Sequence, residues 1–143
     1  MSLEEIRSNF AILDDWEDRY RYVIELGRQL PPLDDALKTD ATKVRGCASQ
    51  VWLISRRTPS AGDMPVHLSF LGDSDALIVR GLVAILLDVV NDKTAAEILA
   101  TDLPAFFGEL GLKENLTPQR SNGLASMIAR IKADAEAAAQ AAA

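Results

Sequence analysis

Lys43-Val44-Arg45-Gly46-Cys47-Ala48-Ser49-Gln50-Val51-Trp52-Leu53 carries the only cysteine of the 143-residue chain. Two cations precede the sulfur, Lys43 and Arg45, and Gly46 stands directly before it. A thiol reacts as the thiolate, and a nearby Lys or Arg lowers its pKa. Gly46 lets the backbone turn tightly, through a left-handed conformation where one is needed. Ala48 and Ser49 are small and leave room for a second molecule to approach. Gln50 to Arg57 reads as a strand, so Cys47 is expected on a loop feeding a sheet. From this context alone two readings stand: a buried, inert small hydrophobe, or a thiol held out for reaction.

Composition narrows the classes. Hydrophobic residues make up 48% and charged residues 25%, the balance of a globular protein. The length suggests one domain over residues 1–143 with a sizeable core. The formal net charge of −6 argues against a nucleic-acid binder, which would carry a basic stripe. One cysteine excludes an intrachain disulfide, and with a single histidine the soft ligands for a structural zinc site are too few. A lone thiol fits a reducing compartment. The acidic N-terminus shows no signal-peptide pattern, and the run Leu82 to Leu87 is far too short to cross a bilayer. A soluble cytoplasmic protein is the expectation.

Working outward, Ser2-Leu3-Glu4-Glu5 reads as a capping box opening a first helix through Ile6, Phe10 and Leu13. Asp14 or Asp15 caps a second helix with Trp16, Tyr20, Val23, Ile24 and Gly27 along one side, ended by Pro31-Pro32. Core packing accounts for its aromatics. A short helical turn is expected at Asp34 to Lys38. After the strand Gln50–Arg57, Thr58–Pro65 is a turn-rich loop. A second strand runs from Val66 to Leu71, with Val66, Leu68 and Phe70 on its buried side. Gly72-Asp73-Ser74-Asp75 reads as a turn rather than a metal or phosphate loop, with its acidic side chains, Asp75 among them, free to meet a basic partner surface. Ala76 to Val79 is taken as a third strand in an antiparallel meander. Gly81 to Val90 is apolar on nearly every side and ambiguous by period. Thr94-Ala95-Ala96-Glu97 opens a short helix, Asp102-Leu103-Pro104 another, and Thr117-Pro118 the last. The alanine-rich tail from about residue 133 extends that last helix without an apolar face of any size.

Within the last helix, Thr117 as N-cap places Arg120 at N3, where a cation opposes the helix dipole. Asn122 and Gly123, both poor helix formers, follow. Broken local rules in a cluster mark functional sites. Arg120 therefore has two readings: a group near the Cys47 loop that stabilises a thiolate or persulfide, or an arginine tied to a carboxylate such as Glu109 or Asp73.

Val44-Arg45-Gly46-Cys47-Ala48-Ser49-Gln50-Val51-Trp52-Leu53 resembles the signature of the SufE family. Trp16-Glu17, Ile24-Glu25-Leu26-Gly27 with Leu30-Pro31, Gly72-Asp73-Ser74, Ile78-Val79-Arg80-Gly81-Leu82 and Leu116-Thr117-Pro118 through Leu124 match in family order. The resemblance covers about residues 10 to 132. It implies a buried helix over Gly81–Val90. The fold expected is then α+β, similar to SufE and IscU: two N-terminal helices, a three-stranded antiparallel sheet, then several C-terminal helices packed on it.

The resemblance also implies a function. Family members accept sulfur from a pyridoxal-phosphate-dependent cysteine desulfurase for iron–sulfur cluster assembly, and stimulate that enzyme. Cys47 would attack the outer sulfur of the partner's persulfide, hold it, and pass it to a downstream acceptor or cluster scaffold. The chain itself needs no cofactor and no metal for this. Lys43 and Arg45 have two readings, groups that set the field around the sulfur or solvated loop charges; Gly46 would act as pivot, and Gln50 would orient the loop. Trp52 is expected in the core, and His67, mid-strand, in no catalytic pair. The sulfur is expected to be shielded at rest and to swing out on docking. Two rivals are an adaptor that stimulates the desulfurase with Cys47 dispensable, and a single-cysteine redox sensor.

Overall fold

A computed structural model describes residues 2–58 and 65–142 of the chain, with side chains to residue 140. The expected Thr58–Pro65 loop falls largely outside the described residues. Ser2 caps α1 (Leu3–Ile12), its Oγ accepting from the Glu5 amide at 3.2 Å. Asp15 caps α2 (Trp16–Gln29), whose buried face is Val23, Leu26 and Gly27. A 3-10 turn over Asp35–Leu37 follows. Then come β1 (Val51–Arg57), β2 (His67–Ser74), α3 (Leu77–Val90), β3 (Lys93–Thr94), α4 (Ala95–Ala100), α5 (Leu103–Glu109), α6 (Leu112–Asn115) and α7 (Pro118–Ala142). The class is α+β, with helices packed on one three-stranded antiparallel sheet of order β1-β2-β3.

The third strand is not where the spacing put it. Gly72-Asp73-Ser74 does not turn but continues β2, pairing Val51 with Ser74 and Leu53 with Gly72. The composition is that of a turn, yet its surroundings favour extension. A Cβ on Gly72 would lie 2.8 Å from both Leu53 and Val83, so only glycine lets the sheet approach α3 there. Asp73 is buried but satisfied: it accepts from the Leu33 amide at 3.0 Å and pairs with Arg80. Ala76 then stands as the N-cap of α3, and Ala76–Val79 is helix entry rather than strand. The sheet gains its third member only after α3. Asp92 at φ 61° turns the chain, Asn91 Oδ1 accepts from the Phe70 amide, and Lys93–Thr94 pairs with β2. The meander is thus interrupted by a helix.

α3 is the axis of the molecule. Residues from Ile78 to Val90 are buried on nearly every side, packed by α2, β2, α1 and α7. At the crossing with α2, a Cβ on Gly81 would lie 2.1 Å from the Val23 carbonyl oxygen, and one on Gly27 2.6 Å from the Gly81 amide. The two backbones touch directly. Thr94 and Glu97 complete the capping box of α4. α7 runs on through the alanine-rich tail, and that tail does have an inward side: Ala135 and Ala138 are buried in the core cluster. Trp52 is half-buried on the other side of β1 from Val51 and Leu53, with the Lys38 ammonium 5.1 Å from its ring centroid. Strand alternation sends it away from the core. No helix among the described residues is long and apolar enough to cross a membrane.

Candidate functional site

The loop that carries the thiol is anchored on both sides. Upstream, Lys43 bridges to Trp52, the Val44 amide donates to Val51 O at 2.8 Å, and the Leu53 amide donates to Thr42 O at 2.9 Å. Arg130 of α7 braces the same segment, donating to Ala41 O at 2.9 Å and to Lys43 O at 3.5 Å. Downstream, the Gln50 amide donates to Asp75 Oδ1 at 3.0 Å, and the Asp75 amide returns a bond to Gln50 O. Between these anchors Gly46 turns at φ 90°, and a Cβ there would meet Ser126 Oγ at 2.6 Å. The loop crosses α7 this closely only because residue 46 has no side chain.

Cys47 is half-buried, and its Sγ–H donates to the Gly123 carbonyl at 3.5 Å. It opens onto a cavity of about 250 Å³. Ala48 and Ser49 form one wall, Val79 and Leu82 of α3 the floor, and Thr117, Gln119, Arg120, Gly123 and Met127 of α7 the other side. Thr117 Oγ1 accepts from the Arg120 amide at 3.3 Å, as an N-cap does, so the positive end of the α7 dipole lies at this cavity. Burial pushes the Cys47 thiol above its ordinary pKa, because the loss of water around the sulfur penalises the charged form.

The sequence-predicted residues separate into two sets. Cys47, Gly46 and Arg120 meet at the cavity or its loop. Arg120 is not held by either carboxylate considered for it: Glu109 pairs with Arg7, and Asp73 with Arg80 and Lys38. Among the described residues its guanidinium forms no ion pair or hydrogen bond. Gln50 and Asp75 fasten the loop end through backbone and carboxylate. Lys43 and Arg45 do not line the Cys47 cavity. With Asp40, Val44 and Arg130 they border a separate groove further along α7. The thiol is therefore not lowered by them as expected; burial is its one resolved influence.

His67 sits at the far end of the hairpin, beside the partner of Arg57, with Nδ1 3.1 Å from Pro65 O. The length of β1, roughly 20 Å for such a strand, separates it from the thiol loop. Ser126 and Arg130, which hold the loop from α7, were not anticipated. Their signal was present: Gly123, Ser126, Met127 and Arg130 recur at helical spacing, one stripe facing one segment. Among the described residues no three His, Cys, Asp or Glu side chains converge as a metal site.

This is a protein that presents a single thiol from a pinned loop, beside a helix N-terminus, on an α+β scaffold. The family model for SufE, described as an Fe-S metabolism associated domain, matches residues 4–135, and the chain belongs to that family. It is 56% identical over 135 residues to an uncharacterized SufE-like protein of Rhizobium meliloti, covering 94% of this chain and 95% of that one. It is 47% identical over 124 residues to the sulfur acceptor protein CsdE of Escherichia coli, covering 87% and 81%. A hypothetical protein from Thermus thermophilus, solved in solution, superposes with a TM-score of 0.70 at 22% identity over 96% of each chain. That likeness concerns the fold.

Proposed function

We propose that this protein accepts sulfane sulfur from a pyridoxal-phosphate-dependent cysteine desulfurase onto Cys47, stimulates that enzyme, and passes the sulfur on for iron–sulfur cluster assembly. The observation that carries the reading is the sole thiol of the chain, held by a loop over a cavity bordered by Arg120, whose guanidinium has no partner among the described residues. The 47% identity to a protein named as a sulfur acceptor supports it. In the transfer, the Cys47 thiolate attacks the terminal sulfur of the donor's persulfide. The donor's S–S bond breaks, its thiolate leaves, and Cys47 carries the new S–S bond. No oxidant is consumed. Arg120 and the α7 N-terminus stabilise the anionic persulfide. Gly46 is the pivot on which the loop opens toward the donor, with Gln50 and Asp75 holding its far end. A lone thiol with no resolving cysteine suits carriage rather than disulfide formation, and such chemistry belongs in the reducing cytoplasm.

The test is intact mass after incubation with a cysteine desulfurase and free cysteine. The expected result is a reductant-sensitive gain of one sulfur atom, roughly 32 Da, absent from Cys47→Ser. Stimulated desulfurase turnover with no adduct on the wild type would replace the carrier by an adaptor.

A further inference from the structure

Charge is distributed unevenly over this chain. From Ala41 to Thr58 and from Leu116 to Ala133 there are seven of its fifteen cations and none of its twenty-one carboxylates. Those two segments are the Cys47 loop with β1, and the first half of α7, the two walls between which the thiol sits. Arg56 and Arg57 lie at the distant end of β1 and Lys132 further along α7, but Lys43, Arg45, Arg120 and Arg130 border the thiol cavity or the groove beside it. Lys43 and Arg45 are exposed, and among the described residues neither forms an ion pair. With Arg130 they border a groove of about 540 Å³ between the loop and α7. The acidic groups nearby are few: Asp40 on the groove's edge, Asp134 beside Arg130 at 3.5 Å, and Asp75, occupied by the Gln50 amide.

The rim of the groove is anchored at Lys43 and Val44. Val44 is buried, and its amide is bonded to Val51 O, while Lys43 and Arg45 on either side of it are exposed at the groove. Ser126 of the groove lies one helical turn from Gly123 of the thiol cavity, about 5 Å along α7. A macromolecule seated in the groove therefore also stands over Cys47.

We infer that this groove is the docking site for an acidic segment of the protein that delivers sulfur to Cys47. The inference rests on the proposed function and adds the place and charge of the contact. A cationic face on an acidic molecule orients it during encounter, so an acidic partner meets the thiol side first. Most of the effect falls on association rate and salt dependence.

The experiment compares the wild type, K43Q/R45Q and K43E/R45E as full chains, each with a cysteine desulfurase from the same genome. Circular dichroism melting checks that each variant is folded. Affinity is measured at low and at moderate salt, and sulfur loading by intact mass at saturating desulfurase. The groove assignment expects K43E/R45E to weaken binding at least tenfold at low salt, K43Q/R45Q to fall between, and the wild-type salt dependence to flatten in both. Loading at saturation stays at the wild-type level, because neither residue lines the thiol cavity. A wild type that loads sulfur while K43E/R45E binds within twofold of it overturns the groove and leaves the carrier reading intact. A wild type that takes no sulfur overturns both.

Discussion

At rest, Cys47 is a protonated thiol whose hydrogen is given to the Gly123 carbonyl. Burial raises its pKa, so the folded state binds this proton more tightly than the unfolded chain. The sign follows: the contribution to stability is complete below the unfolded thiol's pKa and is lost as pH rises through the folded value. The melting temperature of the wild type should therefore fall, relative to Cys47→Ser, only in the alkaline range, with no such divergence developing between pH 6 and 8. Iodoacetamide should label Cys47 more slowly than a free thiol peptide at neutral pH. A thiol that labels faster at neutral pH would mean that the loop stands open. The presence of a loop and its glycine turn could be read from Gly46-Cys47-Ala48-Ser49, because those properties are local. The company Cys47 keeps could not. Lys43 and Arg45 are near it in sequence but border a separate groove, while Arg120 arrives from a helix more than seventy residues away.

Among the elements, α3 is the one on which the site depends, since Val79 and Leu82 floor the thiol cavity. Its contact with α2 is backbone against backbone at Gly81. Gly81→Ala should destabilise the protein by about 2 kcal/mol, an overpacking cost of about 3 kcal/mol less about 1 kcal/mol of helix propensity regained. The comparison is Gly108→Ala in α5, where a Cβ meets nothing within 4 Å and propensity alone acts. Urea midpoints of the two variants should move in opposite directions, and a matching shift in both would discount the crossing. Capped helices were legible here, because Ser2, Asp15, Thr94, Asp102 and Thr117 each act within three residues of what they cap. Ala76–Val79 misleads because four apolar-leaning residues are too few to show a period. The surroundings that make Gly72-Asp73-Ser74 a strand come from β1 and α3, not from its neighbours in sequence.

Over the whole molecule, Asp73 is the junction. Its buried carboxylate holds Leu33 N, Arg80 and Lys38, and Arg80 in turn donates to Gly27 O and Leu30 O. The sheet, α3, the end of α2 and the segment leading to the thiol loop meet there. Removing one partner of a buried ion pair leaves the other uncompensated, so Asp73→Ala should cost about 3–5 kcal/mol. Chemical denaturation checks this, and a loss under about 1 kcal/mol, the scale of an exposed pair, would reduce the junction to a surface contact. The two leading helices, the first two strands and the later capped helices were legible from hydrophobic period and caps, but the place of the third strand was not. The junction was not, since Leu33 and Asp73 stand forty residues apart and nothing local announces their bond.

The anchors on either side of the thiol also limit where sulfur can be delivered. Val44 is fixed to β1 and Gln50 to Asp75, leaving Arg45–Ser49 as the only part able to travel. At about 3.5 Å per residue the chain between the two anchors is roughly 20 Å long, and its apex can rise no more than about 10 Å from the line that joins them. Cys47 sits near the middle of that arc. On the proposed function, a donor whose sulfur lies deeper than this below its own surface is out of reach of Cys47.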